Sequence, residues 1–146
     1  MTGQASRPIR LFLDANLLIS AAWKDGSKVI RIWRIPGVQL LTSEYVLGEC
    51  GRNLPLPHQQ QRLAELLLSV RVIQIPDDAA LPRPPLLPQK DQPVLTGAVF
   101  ARADFLFTGD IRHFGQWYGS TLLGIRIEPP GSFPQILDSG SSHPGY

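Results

Sequence analysis

The run Ile9-Arg10-Leu11-Phe12-Leu13 is almost wholly apolar and is followed at once by Asp14. Successive strand residues point to opposite faces, so a run without polar alternation needs cover on both sides. That is the setting of a central strand in a parallel sheet. A second run, Asp104-Phe105-Leu106-Phe107, leads through Thr108-Gly109 to Asp110 and repeats the arrangement.

Helices and strands alternate around these two runs. Residues 16–23 read as a helix, broken by Lys24-Asp25-Gly26-Ser27 and resumed from Lys28 to Arg34 with Ser27 as its cap. Pro36-Gly37 turns the chain into a second strand over residues 38–41. Thr42-Ser43 caps a helix that reaches about Arg52, with Asn53 as its stop. Pro57 opens another helix with Leu63, Leu66, Leu67 and Val70 along one side, and a third strand is expected over residues 72–75. Residues 76–88 carry five prolines and no periodicity, the mark of a long loop. A helix over residues 91–102, a fourth strand over 104–107, a short helix from about His113, a fifth strand over 125–127 and a last helical turn over 132–137 complete the pass. This order predicts an α/β fold, a single-domain three-layer α/β/α sandwich around a mostly parallel sheet. The domain is expected over residues 9–138, with a flexible tail at 1–8 and a disordered one at 139–146.

At 146 residues the chain can bury one core, and its 43% hydrophobic and 18% charged residues are ordinary for a globular protein. No apolar run approaches the roughly 18 residues of a membrane span, and the first residues lack the apolar core of a signal peptide. A cytoplasmic protein without membrane contact is the default expectation. Cys50 is the single cysteine, which excludes an intrachain disulfide and a multi-thiolate zinc site. With Val46, Leu47 and Leu54 at helical spacing, it reads as core. A net charge of +2 is a weak argument for a polyanionic partner.

The chemistry lies in the acids. Asp14 and Asp110 end two apolar strands, and parallel sheets bind ligands outside the carboxyl ends of their strands. Each also has the simpler reading of a helix cap. The same holds for Asp91, because Pro93 suits a first helical turn. Glu49 borders the stripe of Val46, Leu47 and Cys50, where a solvated face is the ordinary reading. Asp25, Asp77, Asp78, Asp104 and Asp138 fall in turns and loops and are read as local hydrogen-bonding residues. Carboxylates gathered at one edge repel one another unless a cation joins them. A hard cation such as Mg²⁺ or Mn²⁺ takes oxygen ligands and binds together with substrate phosphates, which points to phosphodiester hydrolysis.

Four strings carry a family resemblance: residues 11–20 around Asp14 and Asn16, residues 41–49 ending at Glu49, residues 90–95 around Asp91, and residues 103–114 around Thr108 and Asp110. In this order and at these separations they resemble a PIN domain, and among PIN domains the toxin components of bacterial toxin–antitoxin systems, the VapC-type ribonucleases. The resemblance spans residues 9–137. It implies a five-stranded parallel sheet, a Mg²⁺- or Mn²⁺-dependent endoribonuclease acting on RNA, a cognate antitoxin, and a homodimer. It makes Asp14, Glu49, Asp91 and Asp110 the acidic metal-binding quartet. Asn16 would hold Asp14 by a side-chain hydrogen bond, and Thr108 would place its hydroxyl beside Asp110.

The chain departs from the pattern where many relatives carry further acids. Gln92 follows the third acid, and Arg112 and His113 follow the fourth. Fewer carboxylates suggest one metal rather than two. His113 either touches a phosphate or simply begins the short helix, and the helix reading is preferred. Lys24, Lys90 and Arg112, with Lys28 and Arg52, are the candidate contacts to the RNA backbone, each weighed against a solvated cation. Trp23, Trp33 and Trp117 read as core or interface before base-stacking.

Other carboxylate folds fit less well. A haloacid-dehalogenase-like phosphatase needs a second aspartate where Asn16 stands, and no P-loop motif is present. A catalytically silent module with the same fold, binding nucleic acid or protein, is the alternative.

Overall fold

The computed structural model describes residues 7–76, 79 and 87–132. Strand β1 (Ile9–Leu13) leads into helix α1 (Ala15–Trp23), and a 3₁₀ segment (Lys28–Arg34) follows, with Ser27 accepting from Val29 N. Strand β2 (Val38–Ser43), helices α2 (Glu44–Asn53) and α3 (Pro57–Leu67), and strand β3 (Val70–Ile73) come next. A 3₁₀ turn (Gln89–Asp91) opens helix α4 (Gln92–Phe100), which returns to strand β4 (Phe105–Phe107). The short helix α5 (Ile111–Phe114) and strands β5 (Thr121–Leu122) and β6 (Ile125–Glu128) complete it.

The sheet order is β3-β2-β1-β4-β6-β5, and every pairing is parallel except β5 with β6. The α/β fold with a mostly parallel sheet is therefore as expected. The sheet has six strands rather than five, because the turn at Gly124 (φ +84°) folds the two-residue β5 back on β6 as a hairpin. Two residues are too short to leave a periodic signal. The third strand lies two residues earlier than the sequence implied. Val70, placed on the helix by its spacing, pairs with Leu40 in the sheet instead. Expectations for the proline-rich segment at 77–78 and 80–86, for the turn beyond Ser132 and for both tails fall largely outside the described residues.

Leu11, Phe12 and Leu13 are each fully buried. Consecutive strand residues face opposite sides, so β1 is covered above and below, as its sequence demanded. Cys50 lies in this core with Val46 and Leu54. Arg10, the one charge in β1, escapes burial at the amino-terminal edge, where its guanidinium donates to Ala101 O (2.6 Å) and to Gln39 (2.7 Å). Asp104 is not the local turn-former its position suggested. Its carboxylate accepts from Arg10 N at 2.8 Å and from both terminal nitrogens of Arg7, tying the chain start to the approach of β4.

Helix α4 comes close to β1 at Gly97. A Cβ added at Gly97 would stand 2.8 Å from Phe12 Cζ and 3.2 Å from Ile75 Cδ1. Phe12 is fully buried and has nowhere to retreat. Gly97→Val should cost about 1–3 kcal/mol through overpacking, read from the denaturant midpoint. Wild-type stability in this variant would mean the helix and strand are not in close contact.

Candidate metal centre at the carboxyl edge of the sheet

Chain direction places the acids. The first three strands step outward from β1 to β3, and β4 then returns to the other side of β1. This reversal falls between the carboxyl ends of β1 and β4, the usual ligand position in such sheets. Asp14 follows β1, and its backbone N–H donates to Phe107 O at 3.1 Å. Thr108, Gly109 and Asp110 follow β4 directly.

Asp14 is buried, and both of its oxygens are engaged. Oδ1 accepts from Ala15 N and Oδ2 from the Thr108 hydroxyl, each at 2.7 Å. Burial raises its pKa to about 6, against the lowering effect of these two bonds, and the charges of Glu49 and Asp110 add to the rise. Thr108 is a hub. While donating to Asp14, its oxygen accepts from Asp110 N at 3.0 Å and lies 3.5 Å from Asn16 Nδ2.

Asn16 does not hold Asp14 itself, as the resemblance implied. Its Oδ1 instead accepts from Gly109 N at 2.8 Å, and it reaches Asp14 only through Thr108. The reason is geometric: two residues beyond Asp14, Asn16 faces the loop after β4.

Asp110 caps α5, with Oδ1 accepting from His113 N at 3.2 Å. Its other oxygen lies 2.9 Å from His113 Nδ1. The same imidazole nitrogen stands 3.1 Å from Asp91 Oδ2. Asp91 has the position of a cap on α4 but makes no capping bond with its side chain. The imidazole N–H can serve only one carboxylate with good geometry, and Asp110 is the better aligned. Asp91 Oδ2 is thus buried without a hydrogen bond, and among the described residues Trp117 Nε1, a donor without an acceptor, is the other buried side-chain atom in that state. Burial and the Asp110 charge push the Asp91 pKa up, while His113 and Lys90 oppose the rise.

Glu49 projects from α2 half-buried. Burial raises its pKa; Asp91 and Asp110 add to the rise, and Arg52 and Lys90 counter it. It therefore feels the cluster through space, without a direct hydrogen bond to the other three acids. Lys90 and Arg112 are exposed beside Asp91 and Asp110. Lys24 is not brought to this edge. It caps the far end of α1, a helix about 13 Å long that leads away from Asp14.

His113 belongs both to α5, as the sequence reading preferred, and to the cluster. Asp91, Asp110 and His113 each offer an atom within 4.8 Å of the others. The sequence reading missed two residues that support the site. Tyr45 donates to Lys90 O at 3.0 Å, and its spacing one turn before Glu49 would have revealed it. Tyr118 donates to Thr108 O at 2.7 Å across a turn that leaves no periodic signal. Glu128, buried at the end of β6, is satisfied by Arg126 and Ser132 and is no part of the cluster.

A buried carboxyl whose folded pKa exceeds its ordinary 3.8 binds its proton more tightly folded than unfolded. Its contribution to stability is fully present below that ordinary value and is lost as pH rises through about 6. Glu49 and Asp91 shift in the same direction. Metal-free protein should therefore lose on the order of 2 kcal/mol between pH 4 and 7 from Asp14, and the slope should flatten in Asp14→Asn. Melting temperatures across this window decide the matter, and equal slopes in the two proteins would refute the assignment.

No protein-family model matches the chain, and no curated protein matches it. Among solved structures, Mycobacterium tuberculosis VapC20, a sarcin-ricin loop cleaving toxin, aligns at TM-score 0.49 and 18% identity, over 70% of this chain and 92% of that one. A chain of VapBC2 from Rickettsia felis, solved bound to a DNA fragment from their promoter, aligns at TM-score 0.60 and 14% identity, over 83% of this chain and 98% of that one. The alignment with the VapBC2 chain shows a shared fold, the PIN-type α/β fold that the four sequence strings imply.

Proposed function

We propose that this chain is a divalent-metal-dependent endoribonuclease and the toxin member of a toxin–antitoxin pair. The observation that carries the reading is Asp91 Oδ2, a buried carboxylate oxygen with no donor, facing Asp110 and His113 at the carboxyl edge. An unpaired buried oxygen costs about 1–3 kcal/mol, more when charged. A cation removes that cost, whereas a silent binding module has no use for the arrangement.

Asp91 and Asp110 would hold the ion, with Asp14 and Glu49 adding negative charge beside it. A bound divalent ion supplies a more acidic water and charge neutralisation at a phosphodiester. The chain's own residues do the positioning. Thr108 holds Asp14 and the backbone of Asp110 in one register, and Asn16 closes the loop at Gly109. Lys90 and Arg112, exposed beside Asp91 and Asp110, would meet the phosphates of an RNA strand. RNA as the substrate, Mg²⁺ or Mn²⁺ as the ion and a homodimer follow from the PIN resemblance, and a cytoplasmic setting completes the reading. Likeness in fold to a chain of the VapBC2 complex supports an antitoxin partner. Among the described residues no helix is long and apolar enough to cross a membrane.

Incubation of the purified protein with RNA and either ion should give fragments, and a chelator should stop the reaction. Asp91→Asn and Asp14→Asn should each lower the rate about a hundredfold or more while circular dichroism shows the fold intact. Absence of cleavage by folded wild type in both ions, or undiminished cleavage by Asp91→Asn, would overturn the proposal.

A further inference from the structure

His113 does not fit an all-oxygen site. Its Nδ1 lies 2.9 Å from Asp110 Oδ2 and 3.1 Å from Asp91 Oδ2. Adjacent donors around an octahedral ion with bonds of ~2.1 Å stand about 3.0 Å apart, so the two separations are those of neighbouring ligands on one ion. The ring is also held in place. Asp110 Oδ1 accepts from His113 N, which orients Oδ2 toward the imidazole, and Asp110 N is anchored on Thr108. A further sign is that Asp91 Oδ2, on a residue only 8% exposed, is buried and forms no hydrogen bond although the imidazole nitrogen stands 3.1 Å away.

We infer that His113 Nδ1 is itself a metal ligand, which makes this a two-aspartate, one-imidazole site that selects a first-row transition ion such as Mn²⁺ over Mg²⁺. The inference rests on reading this edge as a metal site. Imidazole is a borderline donor that suits transition metals, while Mg²⁺ prefers oxygen and keeps its waters. With the ion bound, the Nδ1 lone pair faces the metal and the ring proton sits on Nε2, so the hydrogen bond from Nδ1 to Asp110 is exchanged for a bond to the ion. The position beyond the fourth acid thus carries a nitrogen donor in place of a carboxylate.

The test is titration of metal-free protein with Mn²⁺ and Mg²⁺ by calorimetry, with electron spin-echo spectroscopy of the Mn²⁺-loaded protein. Wild type should bind Mn²⁺ about tenfold or more tightly than Mg²⁺ and show coupling to one imidazole nitrogen. His113→Ala should abolish that coupling and bring the two affinities together, mainly by weakening Mn²⁺ binding. Wild type binding Mn²⁺ without nitrogen coupling, or His113→Ala retaining full Mn²⁺ preference, would overturn the inference; the wild-type spectrum decides even where the variant folds poorly. The readout involves no RNA. Nitrogen coupling in a protein that cleaves nothing would sustain the ligand and defeat the nuclease, and cleavage with Mg²⁺ without coupling would do the reverse.

Discussion

The hydrogen bond from the Thr108 hydroxyl to Asp14, 2.7 Å long and buried, joins the carboxyl ends of the two central strands. The rest of the site hangs from it. Thr108 accepts from Asp110 N, which sets the start of α5 and so the position of His113. Asn16 reaches over from α1 to the adjacent Gly109. One hydroxyl thus converts two separate strand ends into a single frame, and a β-branched residue is well suited because its side chain has few rotamers.

The frame gathers like charges in a partly dry crevice. Burial raises Asp14, Glu49 and Asp91 from their ordinary values and is the leading cause in each case. Such an arrangement is costly for folding alone, since neither desolvation nor mutual repulsion is offset by a full complement of donors. Lys90 and Arg52 offset part of it from the rim, but Asp91 Oδ2 keeps no donor. Strain of this kind is what a ligand-binding site stores.

Much of this was legible in the residues. The unbroken apolar character of residues 11–13 required a strand covered on both faces, and the capping serines at 27 and 43 marked helix starts that the structure reproduces. Asp14 and Asp110 were recommended by strand ends. What failed did so for physical reasons. Val70 matched the helical period of α3 yet pairs in the sheet, because an apolar residue at an element boundary satisfies either period. Lys24 was close to Asp14 in sequence, but a helix following a parallel strand carries its end away from the site. Asp91 stands at the cap position of α4 without a capping bond from its side chain, a detail that local sequence could not show.

The sequence by itself determined the layer architecture and the chemical identity of the carboxyl edge, because periodicity and strand ends are local properties of the chain. Only the tertiary structure decided which groups converge. Residues 91 and 113 are separated by a helix and a strand, and their approach to 3.1 Å depends on how α4 and α5 meet the ends of β1 and β4. Local sequence carries no record of that distance. It is fixed by packing, and packing turned a residue read as a helix start into the third corner of the candidate metal centre.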